Sequence, residues 1–191
     1  MTVRILVFAG SARAGSLNKK LARVAAAAVR AAGAEATFID LADYPMPLYD
    51  GDLEARGGVP ASARKLKDLF IAHQGLLIAS PENNASVSAL LKNTLDWISR
   101  QDGGESGLAP YHGKVAALAG ASPGALGGLR GLTHLRAILQ TLTVLVLSEQ
   151  VALGRAHEAF NEDGSLKDAK QQAALAALAK KLADVCARLA G

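Results

Sequence analysis

The apolar positions near the start of the chain change period twice. Val3 to Ala9 is almost continuously apolar and β-prone, the pattern of a strand buried on both faces of a parallel sheet. Leu17, Leu21, Val24 and Ala28 then recur at helical spacing, Gly33 ends that helix, and Ala36 to Ile39 predicts a second, short strand. Strand, helix and strand in this order make one βαβ unit.

The alternation continues to the end of the chain. A loop rich in Pro, Gly and Asp runs from Asp43 to Pro60 and is a candidate lid; Ala63, Leu66 and Phe70 mark a short helix, and Leu76 to Ala79 predicts a third strand. Val87, Leu91, Leu95 and Ile98 give the next helix one apolar stripe. Lys114 to Ala119 predicts a fourth strand, Leu126 to Leu139 a helix and Thr143 to Leu147 a fifth strand, while Leu175, Leu178, Leu182, Val185 and Leu189 line a C-terminal helix. Five strands and five helices joined by right-handed crossovers form a doubly wound parallel α/β sheet, which binds ligands beyond the carboxyl ends of its strands. The length of 191 residues fits one core, and no low-complexity linker interrupts the pattern, so residues 1–191 are expected to form one domain.

Composition removes several kinds of chemistry. The single cysteine, Cys186, excludes a disulfide framework, a zinc-thiolate cluster and a CxxC redox pair. No apolar run approaches the roughly 20 residues of a membrane helix, and the N-terminus lacks the layout of a signal peptide, so a cytoplasmic protein without a membrane partner is expected. The net charge of +4 is spread over scattered lysines and arginines, and aromatics are only 4%, which argues for a solvated basic surface rather than nucleic-acid binding. Such a surface would also suit anionic cofactors. His73, His112, His134 and His157 show no metal-ligand spacing, and surface or helix-cap roles are expected of them.

Three loops follow strands and are the places to look for chemistry. Gly10 to Asn18 offers hydroxyls on Ser11 and Ser16, the Arg13 guanidinium, the Asn18 amide and two glycines directly before a helix N-terminus, a set suited to a phosphate. No Asp or Glu precedes Glu35, while Lys19 and Lys20 lie beside the loop. The same residues would also serve an ordinary strand-to-helix turn with a capping Ser or Asn. The loop lacks both the Gly-Lys-Ser/Thr ending of a P-loop and the GxGxxG dinucleotide fingerprint. Ser80 to Ser88 concentrates small polar groups that could read the polar edge of a planar heterocycle or, equally, form an Asx-rich helix cap. Gly120 to Arg130 is small enough for backbone to approach a ring closely, or is a turn that merely needs glycine.

Together these segments resemble the NADPH-dependent FMN reductase family over nearly the whole chain. The family's Gly-Ser-x-Arg-x-x-Ser-x-Asn motif stands here as Gly10, Ser11, Arg13, Ser16 and Asn18. Its Pro-Glu-Tyr-Asn segment, followed by Ser and Leu-Lys-Asn-x-Leu/Ile-Asp-Trp, stands as Pro81, Glu82, Asn83, Asn84, Ser86, Leu91, Lys92, Asn93, Leu95, Asp96 and Trp97. Asn83 replaces the family tyrosine and removes an aromatic wall near the flavin. Ser88 and Ala89 stand where many members carry Pro-Gly, and Gly120 to Gly124 with Gly127, Gly128 and Arg130 matches the third motif.

The resemblance implies a flavodoxin-like fold with strand order 2-1-3-4-5 and helices on both faces. It further implies FMN as cofactor and NADPH, or NADH, as electron donor, with Arg13 or another nearby base to meet a 2′-phosphate. The acceptor would be a small molecule such as a quinone, free flavin, azo compound or metal oxyanion. By position, Ser11, Arg13, Ser16, Asn18 and the backbone of Leu17 fall to the FMN phosphate; Pro81, Glu82, Asn83 and Asn84 fall to the isoalloxazine edge, and Ser122 to its far side. No catalytic acid or base is implied, because hydride transfer between stacked rings is a matter of positioning. Glu82, in a turn beside a helix start, reads as a cap or a contact to a neighbouring chain. A homodimer or homotetramer is implied, with part of the apolar surface of Leu90, Leu91, Leu95 and Trp97 facing a partner. A non-catalytic FMN-binding electron carrier and a nucleotide-binding module with a decayed flavin site are the readings from another class.

Overall fold

In the computed structural model, which describes residues 2–189, five parallel strands form a sheet flanked by helices on both faces. In chain order the elements are β1 (Arg4–Ala9), α1 (Leu17–Ala31), β2 (Glu35–Ile39), α2 (Gly51–Gly57), α3 (Ala61–Ala72) and β3 (Gly75–Ala79). Then come β4 (Glu82–Asn83), β5 (Ser86–Val87), α4 (Ala89–Ile98), β6 (Val115–Ala121), α5 (Leu129–Thr141), β7 (Leu145–Leu153) and α6 (Ala169–Leu189). The sheet runs β2-β1-β3-β6-β7, the expected order.

Alternate side chains of each strand serve opposite layers. Ile5, Val7 and Ala9 of β1, with Leu77, Ala79, Val115, Ala117 and Ala119, pack against the apolar stripes of α1 and α6. Leu6 and Phe8, with Leu76, Ile78, Ala116 and Leu118, pack under Phe70 of α3, Leu95 and Trp97 of α4, Tyr111, and Leu132 and Leu135 of α5. The central strands are therefore apolar on both faces, which is why they read as continuous apolar runs.

Several expectations change. Of the four α4 residues expected to offer a partner apolar surface, Leu91, Leu95 and Trp97 are buried inside the chain, and only Leu90 is half-buried. The Asp43–Pro60 segment contains a helix, α2, whose N-cap Asp50 accepts hydrogen bonds from the N–H groups of Asp52 and Leu53 at 2.8 and 3.0 Å. Thr143 is in the left-handed region at φ 68° as the chain leaves α5, so β7 starts at Leu145. β7 continues to Leu153 through a bulge, where its pairing with β6 shifts between Val146 and Gln150. The Arg136 guanidinium fills the bulge, donating to the carbonyl of Leu147 at 2.7 Å and to Gln150 Oε1 at 3.2 Å. His73 is a helix cap as expected but is buried, with Nδ1 2.6 Å from the Leu69 carbonyl and Nε2 2.8 Å from Thr37 Oγ1. Burial holds its pKa below the ordinary histidine value despite the Leu69 carbonyl.

Candidate active site

Between β1 and β3 the strand order reverses direction, and the crossovers on either side leave to opposite faces of the sheet. A cavity of about 510 Å³ opens there, lined by the segments that follow β1, β3 and β6. It brings together Ser11, Arg13, Ser16, Leu17, Asn18, Pro81, Glu82, Asn83 and Ser122.

The first wall is the turn from β1 into α1. Ser16 is the N-cap: its Oγ accepts from the N–H of Lys19 at 3.3 Å, and its own N–H donates to the Arg13 carbonyl at 3.2 Å. The N–H groups of Leu17 and Asn18, in the first turn, have no partner within the helix and stand beside the cavity both residues line. The Arg13 side chain is exposed and donates to the Gly15 carbonyl at 3.3 Å, leaving most of its donors open. Lys19 contributes in a different way from the one its sequence position implied. It is buried, and its Nζ donates to the Ala12 carbonyl at 3.0 Å and to Asp40 at 2.6 Å, so it braces the loop from behind with its charge matched. Burial pushes the Asp40 carboxyl up, but the bonds from Lys19 and the Ala42 N–H outweigh it and hold the group below its ordinary value.

Asn18 needs a correction at its side chain. The amide is buried and forms a two-point bond with the last residue of β6: Nδ2 donates to the Ala121 carbonyl and Oδ1 accepts from the Ala121 N–H, both at 2.9 Å. Its side chain therefore ties the first wall to the third, and its backbone N–H is what remains for a ligand.

The second wall is a β-hairpin where the sequence reading had a loop. β4 and β5 pair antiparallel, Glu82 with Val87 and Asn83 with Ser86, around Asn84 and Ala85 at φ 49° and 63°. Positive φ at both central residues is the type I′ arrangement that suits a tight hairpin. Asn84, expected at the ring edge, thus occupies the turn and is not part of the cavity lining. Glu82 presents backbone to the cavity while its carboxylate turns to α5, accepting from the N–H of Arg130 at 3.0 Å, the N–H of Gly131 at 3.2 Å and Arg130 Nε at 2.8 Å. Burial raises its pKa, but these donors more than offset that and hold it below the ordinary carboxylate value. It is a cap, on α5 rather than on the helix that follows it.

Ser88, Ala89 and Leu90 also line the cavity, and the sequence reading did not place them there. Ser88 caps α4, accepting from the Leu91 N–H at 3.1 Å, and donates to the Gly10 carbonyl at 2.6 Å. A Cβ on Gly10 would meet Leu91 Cδ2 at 3.0 Å and Pro81 Cδ at 3.3 Å, so a glycine lets the first two walls close on each other. Serine before an apolar helical stripe was a readable cap signal. Its reach to Gly10 was not readable, because it depends on how the strands stack.

The third wall contains Ala121, Ser122 and Pro123. Ser122 Oγ accepts from the Gly124 N–H at 3.1 Å. The glycines beyond it serve packing: at Gly127, φ is +63° and a Cβ would lie 2.5 Å from the Ala152 carbonyl carbon, so this loop rests directly on the end of β7.

The profile of the NADPH-dependent FMN reductase family matches residues 3–158. This chain belongs to that family. It is 37% identical over 170 residues to an NAD(P)H-dependent FMN reductase of Pseudomonas aeruginosa, covering 88% of this chain and 86% of that one. A 2-hydroxy-1,4-benzoquinone reductase of a Burkholderia species is 35% identical over 149 residues, covering 78% and 76%. The solved structure of a flavoenzyme NAD(P)H:(acceptor) oxidoreductase from Paracoccus denitrificans superposes with a TM-score of 0.82 at 29% identity, covering 98% of both chains.

The residues present fit the cofactor for which the FMN reductase family is named. The ionisable residues that line the cavity are Arg13 and Glu82, and the Glu82 carboxylate is turned to α5 and paired with Arg130, so the site is left cationic beside a helix N-terminus. That end suits a phosphate. The volume lies within the range of small-molecule sites, and the hairpin backbone gives a heterocycle a polar edge to meet. Asn83, where the resemblance implies a tyrosine, is exposed and lines the cavity, so this wall presents no aromatic ring.

Proposed function

We propose that the chain is an NAD(P)H-dependent FMN oxidoreductase that reduces a small acceptor of the quinone class. The carrying observation is the cavity at the switch point, where unpaired helix N–H groups and Arg13 face a heterocycle-sized space walled by the Pro81–Asn83 backbone. The names of the relatives support the same reading and disfavour a non-catalytic carrier. In this assignment Ser11, Arg13 and the N–H groups of Leu17 and Asn18 hold the phosphate, with Ser16 shaping the turn. Pro81, Glu82 and Asn83 meet the ring edge through backbone, and Ser122 lies on the far side.

Bound FMN would supply the hydride acceptor and donor that side chains lack. The chain's part is to hold ring and nicotinamide in register and to place fixed N–H dipoles where negative charge develops. Glu82 is unavailable as an acid or base, since both oxygens are taken by α5. With Asn83 in place of an aromatic wall, the mouth admits acceptors that bring their own hydrogen-bonding groups. We place this activity in the cytoplasm, in keeping with a single buried thiol and the absence, among the described residues, of any helix long and apolar enough to cross a membrane.

The test is a visible spectrum of the purified protein with added FMN, followed by anaerobic NADPH. Flavin bands that bind and then bleach rapidly are expected. Bound flavin resistant to NADPH and NADH would mean a carrier, and failure to take up FMN would mean a decayed site.

A further inference from the structure

The hairpin that walls the cavity pairs with no strand of the main sheet among the described residues, so the ladder does not fix its position. α5 holds it at three points. The Glu82 carboxylate receives two backbone N–H groups of the first turn of α5 through one oxygen and the Arg130 guanidinium through the other. Gly131 brings the helix backbone against the hairpin, since a Cβ there would lie 3.0 Å from the Ser86 carbonyl oxygen and 3.3 Å from Glu82 Cα. His134, one turn further along, meets Ser86 Oγ through Nδ1 at 2.9 Å.

The Glu82 side chain is only 9% exposed although Arg130 lies mostly in solvent, so the bond geometry is set by the buried partner. Glu82 therefore has two faces: backbone toward the cavity and carboxylate locked to a helix. We propose that Glu82 is a positioning residue whose clamp to Arg130 and the α5 N-terminus fixes where the Pro81–Asn83 backbone meets the ring edge of the bound flavin. This role rests on the FMN-reductase reading for its consequence, but the clamp itself can be measured without flavin.

Amide hydrogen exchange of the flavin-free protein is compared for wild type, Glu82→Ala, Glu82→Gln and Arg130→Ala. Exchange within residues 82–87 is expected to rise at least about tenfold in Glu82→Ala and in Arg130→Ala, with β1 and β3 unchanged. Glu82→Gln, which keeps an acceptor for the α5 N–H groups, should rise less. With FMN bound, the single-turnover rate of reduction by NADPH should fall about tenfold to a hundredfold in both strong variants, because small misplacements at a hydride-transfer site are costly. FMN affinity, set mainly at the phosphate end, should change far less than the rate. The double variant should be no slower than Glu82→Ala, since that variant already removes the Glu82 contact of the Arg130 side chain along with the two backbone bonds.

Arg130 is exposed, so Arg130→Ala reports on the clamp even if Glu82→Ala folds poorly. Unchanged exchange at the hairpin in Arg130→Ala and Glu82→Gln would overturn the clamp. Normal reduction in Arg130→Ala, with Glu82→Gln slow and its pH profile altered, would also overturn it and make Glu82 a proton-transfer group. Wild-type protein that takes up no FMN would instead overturn the functional reading, while the exchange result still decides the clamp.

Discussion

At the scale of single residues, the first wall divides its work between neighbours that look alike in sequence. Ser16 and Arg13 both belong to the segment proposed to meet the phosphate, yet one is a buried helix cap and the other an exposed cation with open donors. Ser16→Ala is expected to lower stability by about 1 kcal/mol through the lost cap, read from the urea midpoint. Arg13→Ala should leave the midpoint nearly unchanged and weaken FMN binding about tenfold to a hundredfold, the worth of a charge-assisted hydrogen bond, read by flavin fluorescence titration. Sequence could name Asn18 as important but not its partner, because Ala121 becomes a neighbour only when β6 stacks beside β3. Asn84 illustrates the reverse limit: Asn followed by Ala lacks the Asn-Gly signature of a type I′ turn, so the sequence carries no hairpin signal here and Asn84 reads as a residue of the ring edge.

At the scale of elements, apolar periodicity found the strands and helices that bury a face and missed those that do not. α2 buries no residue and so leaves no stripe to read. The segment around it is nevertheless tied down. The Pro47 carbonyl accepts from Trp97 Nε1 at 2.8 Å and from Asn93 Nδ2 at 2.9 Å, while Asn93 Oδ1 accepts from the Tyr49 N–H at 2.7 Å. Beyond it, Arg100 pairs with Glu54 and lies over the Tyr49 ring. The segment lines no part of the cavity, so it is a strap across α4 rather than the lid its composition suggested. Trp97→Phe removes the Trp97 bond to Pro47 and vacates part of a fully buried site, so a loss of about 1–3 kcal/mol is expected, with faster amide exchange at residues 47–49 and little change in the hairpin. The polar bulge of β7 misled for a related reason, since Ser148, Glu149 and Gln150 break the alternation that marks a strand.

At the scale of the whole molecule, the alternation of elements gives a doubly wound parallel sheet, while the strand order, and with it the switch point where the cavity lies, comes from the family resemblance. What lies outside the chain does not follow from the alternation. With Leu91, Leu95 and Trp97 of α4 buried and Leu90 half-buried at the cavity, exposed leucines lie elsewhere, among them Leu48 on the strap, at 79% exposure, and Leu126 and Leu129 at the entry to α5. We propose a homodimer or homotetramer on these surfaces, and light scattering at micromolar concentration should give a mass above that of one chain; a monomer-sized peak would remove the proposal. The three walls are joined in a closed circuit: Ser88 binds Gly10, Asn18 binds Ala121, and Glu82 binds the helix that leaves the third wall. A hinged pocket lets one wall swing while the others stand. In a circuit no wall can swing alone, so the three walls keep one shape around whatever is seated between them, and loosening any one tie relaxes all three.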